Sequence, residues 1–292
     1  MSETLNSKLI LGTVQMGLSY GINNIRGKVS LDDSLEIFEY AYDSGIRILD
    51  SAEAYGNAHE IIGIFHNKYP DKTFKVITKL PNKSNYDIPV KVENYLKELN
   101  VNQLETLMFH SYDSYQNNIE YINILNKLKQ DKKIKHIGVS VYTNDEIENV
   151  ILNDDIDIVQ LPFNLFDNTN LRSDIIRKAK SKGKIIHTRS ALLQGLFFKD
   201  IDDTNKIVQK LKKELTRISE ISSNQNTSIS ALALSYCLHQ KTIDNVLIGV
   251  DSLNQLKDNI NSVSYKITPQ TIEHINTIKI QNLDLLNPSL WK

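Results

Sequence analysis

Four side chains stand out for the chemistry they could perform together: Asp50, Tyr55, Lys79 and His110. Three of them end short apolar runs, IRILD, FKVITK and LETLMFH, and Tyr55 follows closely on Asp50 in DSAEAYG. A phenol can donate a proton, but its ordinary pKa near ~10 is too high for an efficient general acid at neutral pH. A lysine beside it would stabilise the phenolate and lower that value. An aspartate would hold the lysine in place and keep it charged. A histidine would donate a hydrogen bond to a substrate oxygen. The set suits proton delivery to a carbonyl oxygen as a hydride reaches the carbonyl carbon. Each residue also has an ordinary reading. Any of the 13 tyrosines could be structural, Asp50 could cap a turn, Lys79 could carry a solvated head, and His110 could be a rim histidine. What joins the four is their shared position just beyond successive apolar runs.

The elements that must position them are short. Eight apolar runs recur at 8–13, 46–50, 74–79, 104–110, 134–140, 156–161, 184–188 and 245–249. Near-continuous apolar character suits strands covered on both faces. The intervening segments have helical spacing, as in Leu35, Phe38 and Tyr42, and in Ile119, Ile122, Leu125 and Leu128. Gly45 and Gly183 stand where helices should stop. Strand and helix alternation argues for a parallel sheet, and eight units argue for closure into a (β/α)8 barrel over an open doubly wound sheet. The C-terminal strand ends of such a barrel form one mouth, where the chemistry sits. One domain over residues 1–292 is expected. Two connections, 14–30 and 189–203, are longer than the fold needs and leave from that mouth, where long loops shape binding. The final segment carries the single tryptophan, Trp291, which could fold over the mouth or hang loose.

Composition narrows the partners. A net charge of −1 and a pI of about 6.7 leave no electrostatic footprint for nucleic acid. The single cysteine, Cys237, excludes an internal disulfide and fits a reducing compartment. MSETLNSKLI has no cationic stretch leading into an apolar one, and no run approaches the ~20 apolar residues of a membrane helix. A soluble cytoplasmic protein is expected, acting on a small molecule. The histidines show no spacing that would converge on a metal.

The chain resembles the aldo-keto reductase superfamily over almost its full length. LGTVQMG resembles the family's opening strand and turn, and LDSAEAYGNAHEIIG its signature around the catalytic aspartate and tyrosine. VITK carries the lysine and FHSYD the histidine, while IGVS, VQLPFN and IGVDSLNQLKDN resemble cofactor-binding segments. The resemblance implies a barrel that binds a nicotinamide cofactor without a Rossmann domain, and no G-x-G-x-x-G follows a strand here. It assigns Asp50, Tyr55, Lys79 and His110 as the catalytic tetrad. It assigns Ser140 and Gln160 to the nicotinamide carboxamide, and Gly12 and Thr13 to the turn beside the cofactor.

Three positions depart from the family pattern. Val141 stands where an asparagine is frequent. Arg189, followed by Ser190, stands where a tyrosine frequently stacks on the nicotinamide. A guanidinium can stack on flat rings, and it would repel an oxidised nicotinamide more than a reduced one. Third, Gly249, Asp251 and Gln255 occupy places where many relatives that prefer a 2′-phosphorylated cofactor carry Lys or Arg. Asp251 should repel a 2′-phosphate, whereas Ser252 could cap one, and Lys257 is close in sequence. The resemblance therefore implies NADH or NADPH and leans to NADH, with Gln255 and Asn259 contacting adenine or ribose. The LGTVQMGLSYGI and RSALLQG segments look like bacterial reductases linked to sugar and polysaccharide metabolism. A keto-sugar or nucleotide-linked sugar is the expected substrate, with Tyr20, Tyr112, Phe163 and Trp291 as candidate walls. A nicotinamide-binding regulatory or redox-sensing subunit without turnover is a second reading. A lyase or isomerase that merely shares the barrel is a third. Oligomeric state is not legible.

Overall fold

The computed structural model describes residues 5–82 and 87–291. Eight strands form in chain order: β1 (Leu9–Gly12), β2 (Ile48–Asp50), β3 (Lys75–Leu80), β4 (Leu104–Phe109), β5 (Ile134–Ser140), β6 (Ile158–Pro162), β7 (Ile185–Arg189) and β8 (Asn245–Ile248). Each pairs in parallel with its sequence neighbour, and β8 returns to β1 through Leu9 opposite Val246. The barrel is closed and parallel with helices between the strands, so the (β/α)8 expectation holds and the open sheet does not.

The helices start where local chemistry directs. Ser30 caps the helix Leu31–Asp43 by accepting from the Asp33 amide. Thr143 and Glu146 form a reciprocal capping box at the start of Asn144–Val150. Gly45 and Gly183 adopt φ of +96° and +75°, left-handed values that suit glycine at a helix exit. The stripe expected from Ile119 to Leu128 begins later than its spacing predicts. Residues Ile119–Tyr121 form a 3-10 turn, whose three residues per turn leave Ile119 exposed, while Ile122, Leu125 and Leu128 are buried.

Period-two alternation along the strands sorts the core into two compartments. Ile10, Ile77, Met108 and Ile158, with Ile48, Ile185 and Leu247 against them, form a small cluster of their own inside the barrel. Alternate residues such as Leu9, Leu11, Leu49, Val76 and Leu107 join the larger cluster between strands and helices. Moving two residues along from the interior layer reaches the mouth. Ile10 leads to Gly12, Ile48 to Asp50, Ile77 to Lys79 and Met108 to His110. Gly138 leads to Ser140, Ile158 to Gln160 and Leu247 to Gly249. The apolar layer is the floor on which the polar mouth stands.

Candidate active site

Strand register brings the four reactive side chains together. Asp50 ends β2, and Lys79 lies near the end of β3. Both are 2% exposed. The Lys79 ammonium donates to Asp50 Oδ1, and to the Ser51 carbonyl at 2.9 Å. The second Asp50 oxygen accepts from Gln160 Nε2 at 2.8 Å, across the barrel. A carboxylate accepts only, so this bond fixes which end of the Gln160 amide meets Asp50 and leaves its Oε1 unused by that pair.

Tyr55 is placed by backbone. After β2 the chain turns through Tyr55 N to Ala52 O at 3.0 Å, and Ala58 N to Tyr55 O at 3.1 Å opens the next helix. The short helix Val14–Gly17 presses on this turn. A Cβ at Gly17 would lie 1.6 Å from the Tyr55 carbonyl oxygen, so only glycine fits. The Lys79 ammonium lies 5.2 Å from the Tyr55 ring centroid, and the His110 ring meets Tyr55 edge-on with centroids 5.8 Å apart.

The electrostatics differ in one respect from the simplest expectation. Burial raises the Tyr55 pKa; Lys79 opposes the rise, Asp50 adds to it, and Arg189 opposes it. Lys79 does lower the value as expected, but desolvation outweighs it. At Lys79 burial works against the charge, yet Asp50 and Tyr55 overcome it and raise the pKa. Burial, with Lys79 beside it, pushes His110 down to about 4. At neutral pH the phenol is therefore protonated, the amine charged and the imidazole neutral.

A cavity of about 380 Å³ opens at this mouth. It is lined by Tyr55, Asp50, Gln160, Gly12 and Thr13, by Arg189, Ser190 and Tyr20 from the long loops and β7, and by Gly249, Asp251, Gln255 and Asn259 after β8. The two long loops meet over it, where Gln194 Nε2 donates to the Tyr20 hydroxyl at 2.6 Å. Burial, with Tyr55 and Tyr142 nearby, pushes the Tyr20 phenol up to about 12.

Other expected residues sit elsewhere. Ser140 is buried just behind the cavity and accepts from Arg189 Nε at 3.3 Å. Ser252 does not line the cavity; its hydroxyl caps the helix Leu253–Ser262 by accepting from Gln255 N. Lys257 lies over the Tyr40 ring, 5.4 Å from the centroid. Three wall candidates do not reach the cavity. Phe163 is 1% exposed and stacks on Tyr236 in the outer core, since period-two alternation turns it outward with Leu161. Tyr112 begins a short helix, packs on Tyr115 and accepts from Gln116. Trp291 donates to the Leu285 carbonyl and packs on the outer core, so the tail neither covers the mouth nor hangs loose.

Two features, one lining the cavity and one behind Arg189, were missed by sequence reasoning. Gln15 lines the cavity, and its buried Oε1 has no hydrogen-bond partner among the described residues. Its Nε2 lies 2.6 Å from where a Gly249 Cβ would be, so the glycine admits this amide. Tyr142 supports Arg189, whose guanidinium carbon lies 4.0 Å above its ring centroid. The Tyr142 carbonyl is held in turn by Arg172, which forms a buried ion pair with Asp167. Gln15 was visible in LGTVQMG, but Tyr142 carried no local signal.

Residues 8–280 match the model of the Aldo/keto reductase family. The chain belongs to that family. It is an NAD(P)H-dependent oxidoreductase. Among similar proteins is the NADH-specific methylglyoxal reductase of Escherichia coli, 23% identical over 90% of this chain and 91% of its own length. L-Galactose dehydrogenase of Arabidopsis thaliana is 25% identical, covering 89% of this chain and 86% of its own. Among solved structures, the holo form of an aldo-keto reductase from Bacillus halodurans superposes with a TM-score of 0.77 at 18% identity. It covers 93% of this chain and 91% of its own, a likeness of fold alone. No helix among the described residues is long and apolar enough to cross a membrane.

Proposed function

We propose that the protein reduces an aldehyde or ketone to an alcohol with Tyr55 as general acid, and that its substrate is a keto-sugar or nucleotide-linked sugar. The observation that carries the reading is the buried Asp50–Lys79 pair set against the Tyr55 phenol, with His110 at the phenol's edge.

The cavity residues fit a nicotinamide dinucleotide. Gln160 lines the cavity, and its side-chain oxygen, unused in the bond to Asp50, can accept from a carboxamide amine; Ser140 stands behind the wall and holds Arg189. The unpartnered Gln15 Oε1 offers one more acceptor on the same wall. A bound reduced nicotinamide supplies the hydride to the carbonyl carbon. The chain does the rest. Neutral His110 donates to the carbonyl oxygen and aligns it. Tyr55 transfers its phenolic proton to that oxygen as negative charge develops there. The Lys79 ammonium stabilises the phenolate left behind, and Asp50 keeps the ammonium in place.

The reading favours NADH. Asp251 and Asp258 line the cavity and would repel a 2′-phosphate, while Lys257 is drawn to Tyr40. The Escherichia coli relative is named as NADH-specific. Fluorescence titration with NADH and NADPH, followed by turnover of a nucleotide-linked keto-sugar and of simple aromatic aldehydes, tests each part. Tyr55→Phe should keep NADH binding and lose about a hundredfold or more in kcat, the scale of general acid catalysis. Binding of neither cofactor would remove the function. Better rates on aromatic aldehydes than on the keto-sugar would remove the sugar.

A further inference from the structure

Among the described residues Arg189 is the one cation that lines the cavity, with Asp50, Asp251 and Asp258 as its carboxylates, while Lys79 and Arg172 lie behind the wall. Lys79 is neutralised by Asp50, and Arg172 by Asp167. Arg189 forms no ion pair among the described residues; the Asp167 carboxylate, which feels its charge, is already bound by Arg172. Its Nε donates to Ser140, one Nη1 hydrogen to Ser190 at 3.4 Å and one Nη2 hydrogen to the Val141 carbonyl at 3.1 Å. A guanidinium has five N–H groups, so two remain without a partner among the described residues. The group is not a loose surface arginine. One face lies on Tyr142, and the side chain is half-buried in the cavity wall beside Tyr55 and Gln160. Glu146, at the start of the helix that follows Tyr142, is committed to the Tyr142 and Thr143 amides. The Arg189 charge is felt at Tyr55, His110 and Tyr20, which places it close to where the proton moves.

A partly desolvated guanidinium, held rigid and without a direct ion pair, is costly alone and strongly favourable opposite an anion. The fixed geometry also removes much of the entropy cost of binding one. Building on the reductase reading above, we infer that Arg189 is the subsite for an anionic group, a carboxylate or phosphate, carried by the carbonyl substrate. A small neutral aldehyde leaves this charge unanswered. A keto-sugar bearing a carboxylate or a nucleoside diphosphate answers it. The diphosphate of the cofactor is the other source of the same chemistry, and the two are separated by measuring substrate and cofactor apart.

The experiment compares matched substrates: glyceraldehyde 3-phosphate with glyceraldehyde, and succinic semialdehyde with butanal, each with NADH. The wild-type protein is expected to favour the anionic member by about tenfold or more in kcat/KM, mostly through KM, as a charge-assisted contact would. Arg189→Met should bring that ratio close to one, and Arg189→Lys should restore part of it. NADH affinity, read by fluorescence, should change far less than the ratio in both variants. Reduction of both members at equal efficiency by the wild type overturns the inference and leaves the reductase reading standing. Loss of NADH binding in Arg189→Met with the ratio retained also overturns it, assigning the guanidinium to the cofactor. Absence of turnover on all four aldehydes removes both.

Discussion

The backbone of Gly17 touches the carbonyl of Tyr55 so closely that no side chain can come between them. A residue in the loop after β1 thereby sets the height of the phenol that ends the loop after β2. Gly56 completes the contact from the other side, with φ of +55° and the Gly17 carbonyl 2.5 Å from where its own Cβ would be.

Gly17→Ala should therefore damage both the fold and the chemistry. The clash is with backbone, which cannot swing aside as a side chain would. Overpacking of this kind costs about 1–3 kcal/mol or more. Urea unfolding should show the loss, and kcat should fall further than the stability change alone explains. An unchanged kcat would show that Tyr55 does not depend on this contact.

Lys79→Met tests the buried pair. It strands the Asp50 carboxylate at 2% exposure with only Gln160 to answer it. Removing one partner of a buried ion pair costs about 3–5 kcal/mol. Lys79→Met combined with Asp50→Asn should recover much of the stability without recovering turnover. Equal stability of the single and double variants would mean that the pair is not coupled.

The pH dependence of reduction follows from the raised Tyr55 pKa. As the proposed general acid the phenol must be protonated to act, and burial holds it so beyond the ordinary tyrosine range. The rate of carbonyl reduction at saturating NADH should stay level from about pH 6 to 9 and fall only above that. Because Tyr55 and Lys79 interact strongly, the limb belongs to the pair. A limb near neutrality would contradict this and point to Lys79 dominating the phenol.

Stability should weaken in acid for a different reason. Burial pushes His59, His110 and His187 each from 6.5 down to about 4. Between those values the unfolded chain binds more protons than the folded one, so stability is complete above the upper value and is lost as pH falls towards the lower. The cost is on the order of 1–3 kcal/mol for each histidine by about pH 4. The urea midpoint should drop steeply over this interval. His187→Asn should flatten the drop, since its Nδ1 lacks a partner among the described residues and the side chain is 3% exposed.

Asp251 gives the cofactor prediction. Its amide donates to Gln255, and its carboxyl pKa is raised by burial, against the pull of the Gln255 hydrogen bond and Arg26. Asp251→Ala should tighten NADPH binding by about tenfold relative to NADH, the scale of one charged contact. An unchanged ratio would leave cofactor choice to another residue.

The strand ends were readable in the sequence because period two ties each polar residue to an apolar one two places earlier. That rule reaches Asp50, Lys79, His110, Ser140 and Gln160. It also reveals why Phe163 was misplaced: its parity matches Leu161, which faces the helices. Loop residues obey no such rule. Tyr142 faces Arg189 because Arg172, itself held by Asp167 on the next βα connection, donates to its carbonyl. Gln15 meets Gly249 only because β8 closes on β1. Contacts of that range leave no trace in local spacing.

Closure through Leu9 and Val246 sets when the site can exist during synthesis. A nascent chain has laid down all four reactive side chains by His110, yet the β1 edge stays unpaired until Asn245–Ile248 emerges. Until then an apolar strand edge is open to pairing with other chains. The wall after β8, with Asp251 and Asn259, arrives later still. Ligand binding therefore cannot assist early folding. It can only reward the finished barrel, and the growing chain must keep its first strand from false partners in the meantime.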